Sequence, residues 1–164
     1  MEIGIAGQPA PPLREIRWID GEGRETGPLS LDDLGGGHRI LFFFFQHACP
    51  GCHSHGFPTL VRLVEQLQGP GLGFAAIQTA FEDFEANSFE RILENQHRYR
   101  LSIPFGHAGP RPGSRLPAVM SDYRTGGTPW FVGIGPDKQV LFDAFQLDAE
   151  VLVGALRPMM SFNR

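Results

Sequence analysis

Nine consecutive residues, His47 to His55 (HACPGCHSH), contain both cysteines of this 164-residue chain and three of its six histidines. Thiolates and imidazoles at this density serve disulfide exchange, metal ligation or, through the C-x-x-C-H pattern of Cys49 to His53, covalent haem attachment. Two cysteines three residues apart do not make a disulfide framework, and the spacing points to redox chemistry or metal. Zinc commonly gathers two cysteines and two histidines from two separated loops, whereas His47, Cys49, Cys52, His53 and His55 are all local. A soft copper(I) ion would accept the two thiolates alone. Haem attachment is opposed by the amphipathic helix that begins directly after His53. The inert alternative, two small core residues, does not explain the pairing.

The flanking elements decide how the cysteines are presented. Arg39 to Phe45 (RILFFFF) is apolar on both faces, as a central strand buried on both sides must be. Phe57, Leu60, Val61, Val64 and Leu67 form one helical stripe, which Gly69-Pro70 stops. Cys49 and Cys52 therefore sit where a buried strand ends and a helix begins, the sheet edge at which open α/β folds place their sites. Amides of a first helical turn point at Cys49, and such positions lower a cysteine pKa from about 8.5 into a range of roughly 3.5 to 7.5. Cys52, one turn in, is expected to be more buried. The asymmetry predicts Cys49 as attacking thiolate and Cys52 as the thiol that resolves the mixed disulfide. Pro50 suits a first helical turn, where its missing N–H is not needed.

The rest of the chain supplies the frame. Residues 1–15 are Pro-rich and predicted irregular. Ile16 and Trp18 open a hairpin turning at Gly21 and Gly23, and Leu31 to Gly37 read as a brief helix closed by glycines. Leu72 to Ala80 is a second buried strand. Asn87 with Glu90 resembles a capping box before a helix with the stripe Phe89, Ile92, Leu93 and Gln96. The segment around Pro104 can hold only a short edge strand. Trp130 to Ile134 and Val140 to Phe145 form a hairpin, and Asp148 caps a last helix carried by Val151, Leu152, Ala155 and Leu156 and ended by Pro158. Strands alternating with helices imply an α/β fold, a mixed sheet covered on both faces, in one domain spanning 1–164.

Several stretches together carry a family resemblance: GQPAPPL, LSLDDLGGGHRILFFF, CPGC, and GGTPWFVGIGPDKQVLFDAF. On them the chain resembles the thioredoxin-fold redoxin or TlpA-like thiol–disulfide oxidoreductases, which adjoin the peroxiredoxins. The likeness runs from about residue 5 to 158, and its most specific element is the cysteine pair combined with a later Gly-Thr-Pro. It implies a thioredoxin-like mixed sheet with an N-terminal hairpin and a central helical insertion. It also implies a cis peptide before Pro129 and a Thr128 backbone that pairs with substrate like an added strand. Protein disulfides or thiols and a thiol electron donor would be the partners, with the redox-active disulfide in place of any cofactor. Family members keep a buried acid near the second cysteine; Glu82, just past the second strand, is the candidate for proton transfer. His53 is the candidate for tuning the thiols.

Three departures bear on this. Gln46 stands where the peroxiredoxin pattern has threonine, which argues against peroxide reduction. TlpA-like proteins are exported, whereas no basic-then-apolar segment opens this chain, so it reads as cytoplasmic unless a signal has been trimmed. The helix-kinking proline follows the second cysteine by five residues in the family and here, as Pro58, by six, which predicts irregular turns near Gly56. The net charge of −4 gives no electrostatic reason for nucleic acid or an anionic membrane as partner, and no apolar run approaches a membrane span.

Overall fold

A computed structural model describes residues 2–67, 69 and 71–160. Its centre is the run predicted from apolarity alone: Arg39–Phe45 forms strand β3. Because side chains alternate along a strand, the run feeds two cores. Leu41, Phe43 and Phe45 pack on one side of the sheet; Ile40, Phe42 and Phe44 pack on the other with Trp18 and Tyr123. Each buried phenylalanine contributes roughly 1.5–3 kcal/mol of transfer free energy.

Strand β4 (Leu72–Thr79) runs parallel to β3, and β6 (Trp130–Ile134) runs antiparallel on its other side, followed by β7 (Val140–Ala144). Strands β1 (Arg17–Ile19), β2 (Glu25–Thr26) and β5 (Phe105–Ala108) complete a sheet of order β2-β1-β5-β4-β3-β6-β7. The sheet is mixed and seven-stranded, with a thioredoxin-like fold. The segment after Pro104 was expected at an edge, but β5 lies inside the sheet, parallel to β4 and antiparallel to β1. Pro104 sits one residue before the strand, and only its carbonyl joins the ladder, accepting from the Ala76 amide. Its missing N–H therefore breaks no pairing.

Helix α1 (Leu31–Gly35) starts on a Ser30–Asp33 capping box and closes at Gly36 in the left-handed region. Helix α2 (Phe57–Leu67) buries Phe57, Leu60, Leu63, Val64 and Leu67; of the expected stop, Pro70 lies outside the described residues. Asp148 caps α5 (Ala149–Leu156) by accepting from the Val151 amide at 3.1 Å. That helix buries Val153 and Leu156, whereas Val151, expected on the inner face, is 67% exposed. Pro158 falls in the tight turn Arg157–Met159 that follows.

Two elements of the insertion differ from the reading of the sequence. Helix α3 (Glu90–Arg98) buries Ile92, Asn95 and Gln96, while Leu93 faces solvent, and Asn87 does not cap it. Helix α4 (Ala118–Tyr123) was not anticipated; Val119 and Tyr123 close the core around Phe42 and Phe44. The N-terminal segment forms no named element yet is fastened beside β7: the Gly7 amide donates to Val140 O and the Val140 amide to Gln8 O. Among the described residues no helix is long and apolar enough to cross a membrane.

Candidate active site

Both cysteines lie past the carboxyl end of β3. Gln46, His47 and Ala48 lead out of the strand, and Cys52 opens a wide π turn, Cys52–Gly56, before α2. The Phe57 amide bonds to Cys52 O five residues back, so the turn holds one residue more than an α turn. This is the irregularity expected near Gly56, and it absorbs the extra residue before Pro58.

Cys49 and Cys52 form a disulfide with their Cα atoms 5.3 Å apart, within the ordinary span. Cys49 is half-buried, whereas Cys52 is fully buried in the same core as Phe43 and Phe57. The Cys52 amide points at Cys49 Sγ from 3.2 Å, a donor placed to stabilise negative charge on that sulfur. Thr128 O lies 3.7 Å from the same sulfur.

Thr128 and Pro129 stand at the start of β6, and the peptide between them is cis. Pro129 packs across the cysteine turn. A Cβ on Gly51 would lie 3.6 Å from Pro129 Cδ, and one on Gly56 would lie 3.1 Å from Pro129 Cβ and 2.7 Å from Phe43 Cζ. Glycine at 56 is thus what lets helix, proline and strand meet. Cys49, Cys52, Thr128 and Pro129, separated by up to 80 residues in sequence, converge on one spot.

The three histidines of the cluster and Glu82 divide. His53 is not a solvated residue of an exposed turn: its Nδ1 lies 2.5 Å from Tyr99 Oη and its Nε2 2.7 Å from His47 O. Its ring stacks on Phe57 and Tyr99. His55 is exposed. His47 is half-buried, and its pKa is lowered chiefly by burial, against the opposing pull of Glu94. Glu82 is exposed and accepts from Gln46 Nε2 at 3.3 Å, so it lacks the burial that a proton-transferring acid at this site was expected to have.

Four further side chains surround the loop: Gln46 and Asn87, read in other roles from the sequence, and Gln78 and Tyr99, not singled out there. Gln46 is 1% exposed, and its Oε1 accepts from the Phe81 amide and from Asn87 Nδ2. Gln78, fully buried on β4, accepts from the His47 amide at 2.9 Å. Asn87 accepts from the Ala48 amide at 2.8 Å, and Tyr99 holds His53. The available signal was their chemistry: carboxamides inside apolar segments must find partners when buried. Among the described residues, no three His, Cys, Asp or Glu side chains are arranged to hold a metal ion.

No protein-family model matches the sequence. A search of curated proteins likewise finds no match. Solved structures do match. A thioredoxin-like superfamily protein superposes with a TM-score of 0.80 at 27% identity, over 93% of this chain and 96% of the other. A thiol-disulfide isomerase from Corynebacterium glutamicum gives a TM-score of 0.76 at 25% identity, over 94% and 98%. The thioredoxin domain of a thiol-disulfide oxidoreductase from Bacteroides vulgatus gives 0.67 at 17% identity, over 96% and 99%, a likeness of fold alone. The chain thus shares the thioredoxin-like fold of these proteins and carries a Cys49–Cys52 disulfide at the carboxyl edge of the sheet, the arrangement of the thiol–disulfide oxidoreductases it resembles.

Proposed function

We propose that Cys49 is the attacking sulfur, Cys52 the resolving one, and Thr128–Pro129 the ledge on which a protein disulfide or thiol is presented. The observation that carries this is the contrast between the two sulfurs. Cys49 is reachable and faces the Cys52 amide at 3.2 Å, while Cys52 is sealed in the core. A thiolate with an amide donor attacks; a buried thiol waits for an intramolecular partner.

In the reducing direction the Cys49 thiolate attacks a substrate disulfide. The substrate S–S bond breaks, a mixed disulfide forms on Cys49, and the departing thiolate takes up a proton. Cys52 then loses its proton and attacks Cys49 Sγ, releasing the second substrate thiol and restoring the Cys49–Cys52 bond. Two electrons pass to the substrate, and a thiol donor returns them to the pair. Run backwards, the same steps oxidise a dithiol. The main chain of Thr128, whose carbonyl lies beside Cys49 Sγ, suits pairing with an extended substrate segment.

Insulin reduction with a dithiol donor tests the assignment. Wild type turns over, Cys49→Ser is inactive, and Cys52→Ser accumulates mixed disulfides that reducing agent releases. A wild-type protein inactive there and in exchange with small disulfides defeats the reading. The redox potential against glutathione then gives the direction: near thioredoxin's, about −270 mV, for a reductant, and far higher for an oxidant.

A further inference from the structure

The segment that delivers Cys49 is gripped by side chains from outside its own strand and helix. The amides of His47 and Ala48 point neither to solvent nor to the main chain of a neighbouring strand. The first donates to Gln78 Oε1 at 2.9 Å and the second to Asn87 Oδ1 at 2.8 Å. The carbonyl between them, His47 O, receives His53 Nε2 at 2.7 Å. Three consecutive main-chain polar groups, just before the attacking sulfur, are thus held by β4, by the loop ahead of α3 and by the π turn.

The two carboxamides are themselves fixed. Asn87, 1% exposed, sends Nδ2 to Gln46 Oε1 at 3.2 Å and to Glu82 O at 2.9 Å. Gln78, 0% exposed, sends Nε2 to Ser88 O and to His107 Nδ1, each at 2.9 Å. A buried carboxamide with all its groups engaged has one orientation, and it imposes that orientation on what it holds. These bonds explain why Asn87 leaves α3 uncapped: its side chain is committed to the cysteine loop.

Building on the roles proposed above for the two sulfurs, we propose that Asn87 and Gln78 are positioning residues for the Cys49 thiolate. By fixing residues 47 and 48 they hold Cys49 Sγ at the Cys52 amide, the donor that favours its charged form. Both side chains are buried, Gln78 fully and Asn87 at 1% exposure, and act through the main chain of the loop. Truncating Asn87 leaves the Ala48 amide free to turn, and the sulfur drifts from its donor.

The test is the pH dependence of alkylation of the reduced protein, with mass spectrometry assigning the modified cysteine. Asn87→Ala is expected to raise the Cys49 midpoint by about one pH unit, which slows alkylation about tenfold at pH values below both midpoints. Gln96→Ala supplies a control of equal burial. Gln96, 3% exposed, bonds to Asp20 O and Ile103 O and not to this loop, so its loss lowers stability while leaving the midpoint in place. An Asn87→Ala protein that folds and keeps the wild-type midpoint overturns the inference, as does an equal shift in Gln96→Ala. Amide exchange in wild type needs no variant: the His47 and Ala48 amides are expected to be strongly protected, and exchange at the rate of an open loop overturns it too. If Cys49 is not the sulfur modified first in wild type, the assignment of the two sulfurs fails instead.

Discussion

Tyr99 donates its hydroxyl proton to His53, not the reverse, while the His53 ring is neutral. His53 Nε2 faces the His47 carbonyl, which can only accept, so the ring proton sits there and Nδ1 is left as an acceptor. Burial raises the Tyr99 pKa, which keeps its proton in place as the donor. Tyr99→Phe removes that donor and keeps the stack on Phe57, whose rings lie 4.1 Å apart at 9°. It is expected to lower unfolding free energy by about 1 kcal/mol in urea titration. Tyr99→Ala, which loses the stack as well, costs more, and a Tyr99→Phe protein as stable as wild type would show that the hydroxyl bond contributes nothing.

Stability is expected to fall between about pH 6.5 and pH 4. Burial lowers the His107 pKa to about 4, and its Nδ1 lies at the Gln78 amide nitrogen. Unfolding returns the ring to an ordinary value near 6.5, so within that window the unfolded chain binds the extra proton and acid favours unfolding. The contribution is complete above pH 6.5, is lost progressively below it, and amounts to no more than about 3 kcal/mol. His47, lowered chiefly by burial, acts in the same direction. Unfolding free energies from pH 7.5 to 4.5 check this, and His107→Gln flattens the curve.

Gly56→Ala is expected to destabilise by about 1–3 kcal/mol through overpacking. The new methyl would press on Phe43 Cζ at 2.7 Å and Pro129 Cβ at 3.1 Å. Because Pro129 belongs to the proposed ledge, insulin reduction should suffer more than exchange with a small disulfide. Equal losses with both substrates would place the damage at the sulfurs.

Peroxide should be consumed no faster than by free cysteine at the same pH. Gln46 directs its carbonyl oxygen to the Phe81 amide and Asn87 Nδ2, and its Nε2 to Glu82. It thus serves the loop after β4 and offers no hydroxyl to a peroxide. Rapid peroxide loss that disappears in Cys49→Ser would contradict this.

The parts of the protein written in apolar pattern were legible from sequence. Strand β3, the α2 stripe, the hairpin around Gly135 and the Asp148 cap all follow from local rules that no distant residue overrides. The cysteine pair was legible because its spacing is its chemistry. Tertiary commitments were not. Asn87 has the sequence of a cap, and only the fold reveals that Ala48 claims its oxygen. Helix α4 is six residues long within a Pro- and Gly-rich stretch, too short for periodicity to register. The place of β5 depends on β1 arriving beside it from near the N-terminus. Glu82 was chosen for its edge of the sheet, but position along a loop does not fix depth, and it faces water.

The π turn Cys52–Gly56 has a consequence for sequence length. A surplus residue held as a local swelling leaves the phase of the following helix unaltered. Ser54 and His55, both solvent-facing, are therefore dispensable in number though not in register. Removing either one would let the backbone tighten to regular winding, return Pro58 to five positions after the second cysteine, and keep Leu60 and Val64 pointed inward. A natural insertion and its reversal would be nearly silent at this single place in the helix, whereas the same deletion two turns later would rotate the buried stripe into solvent.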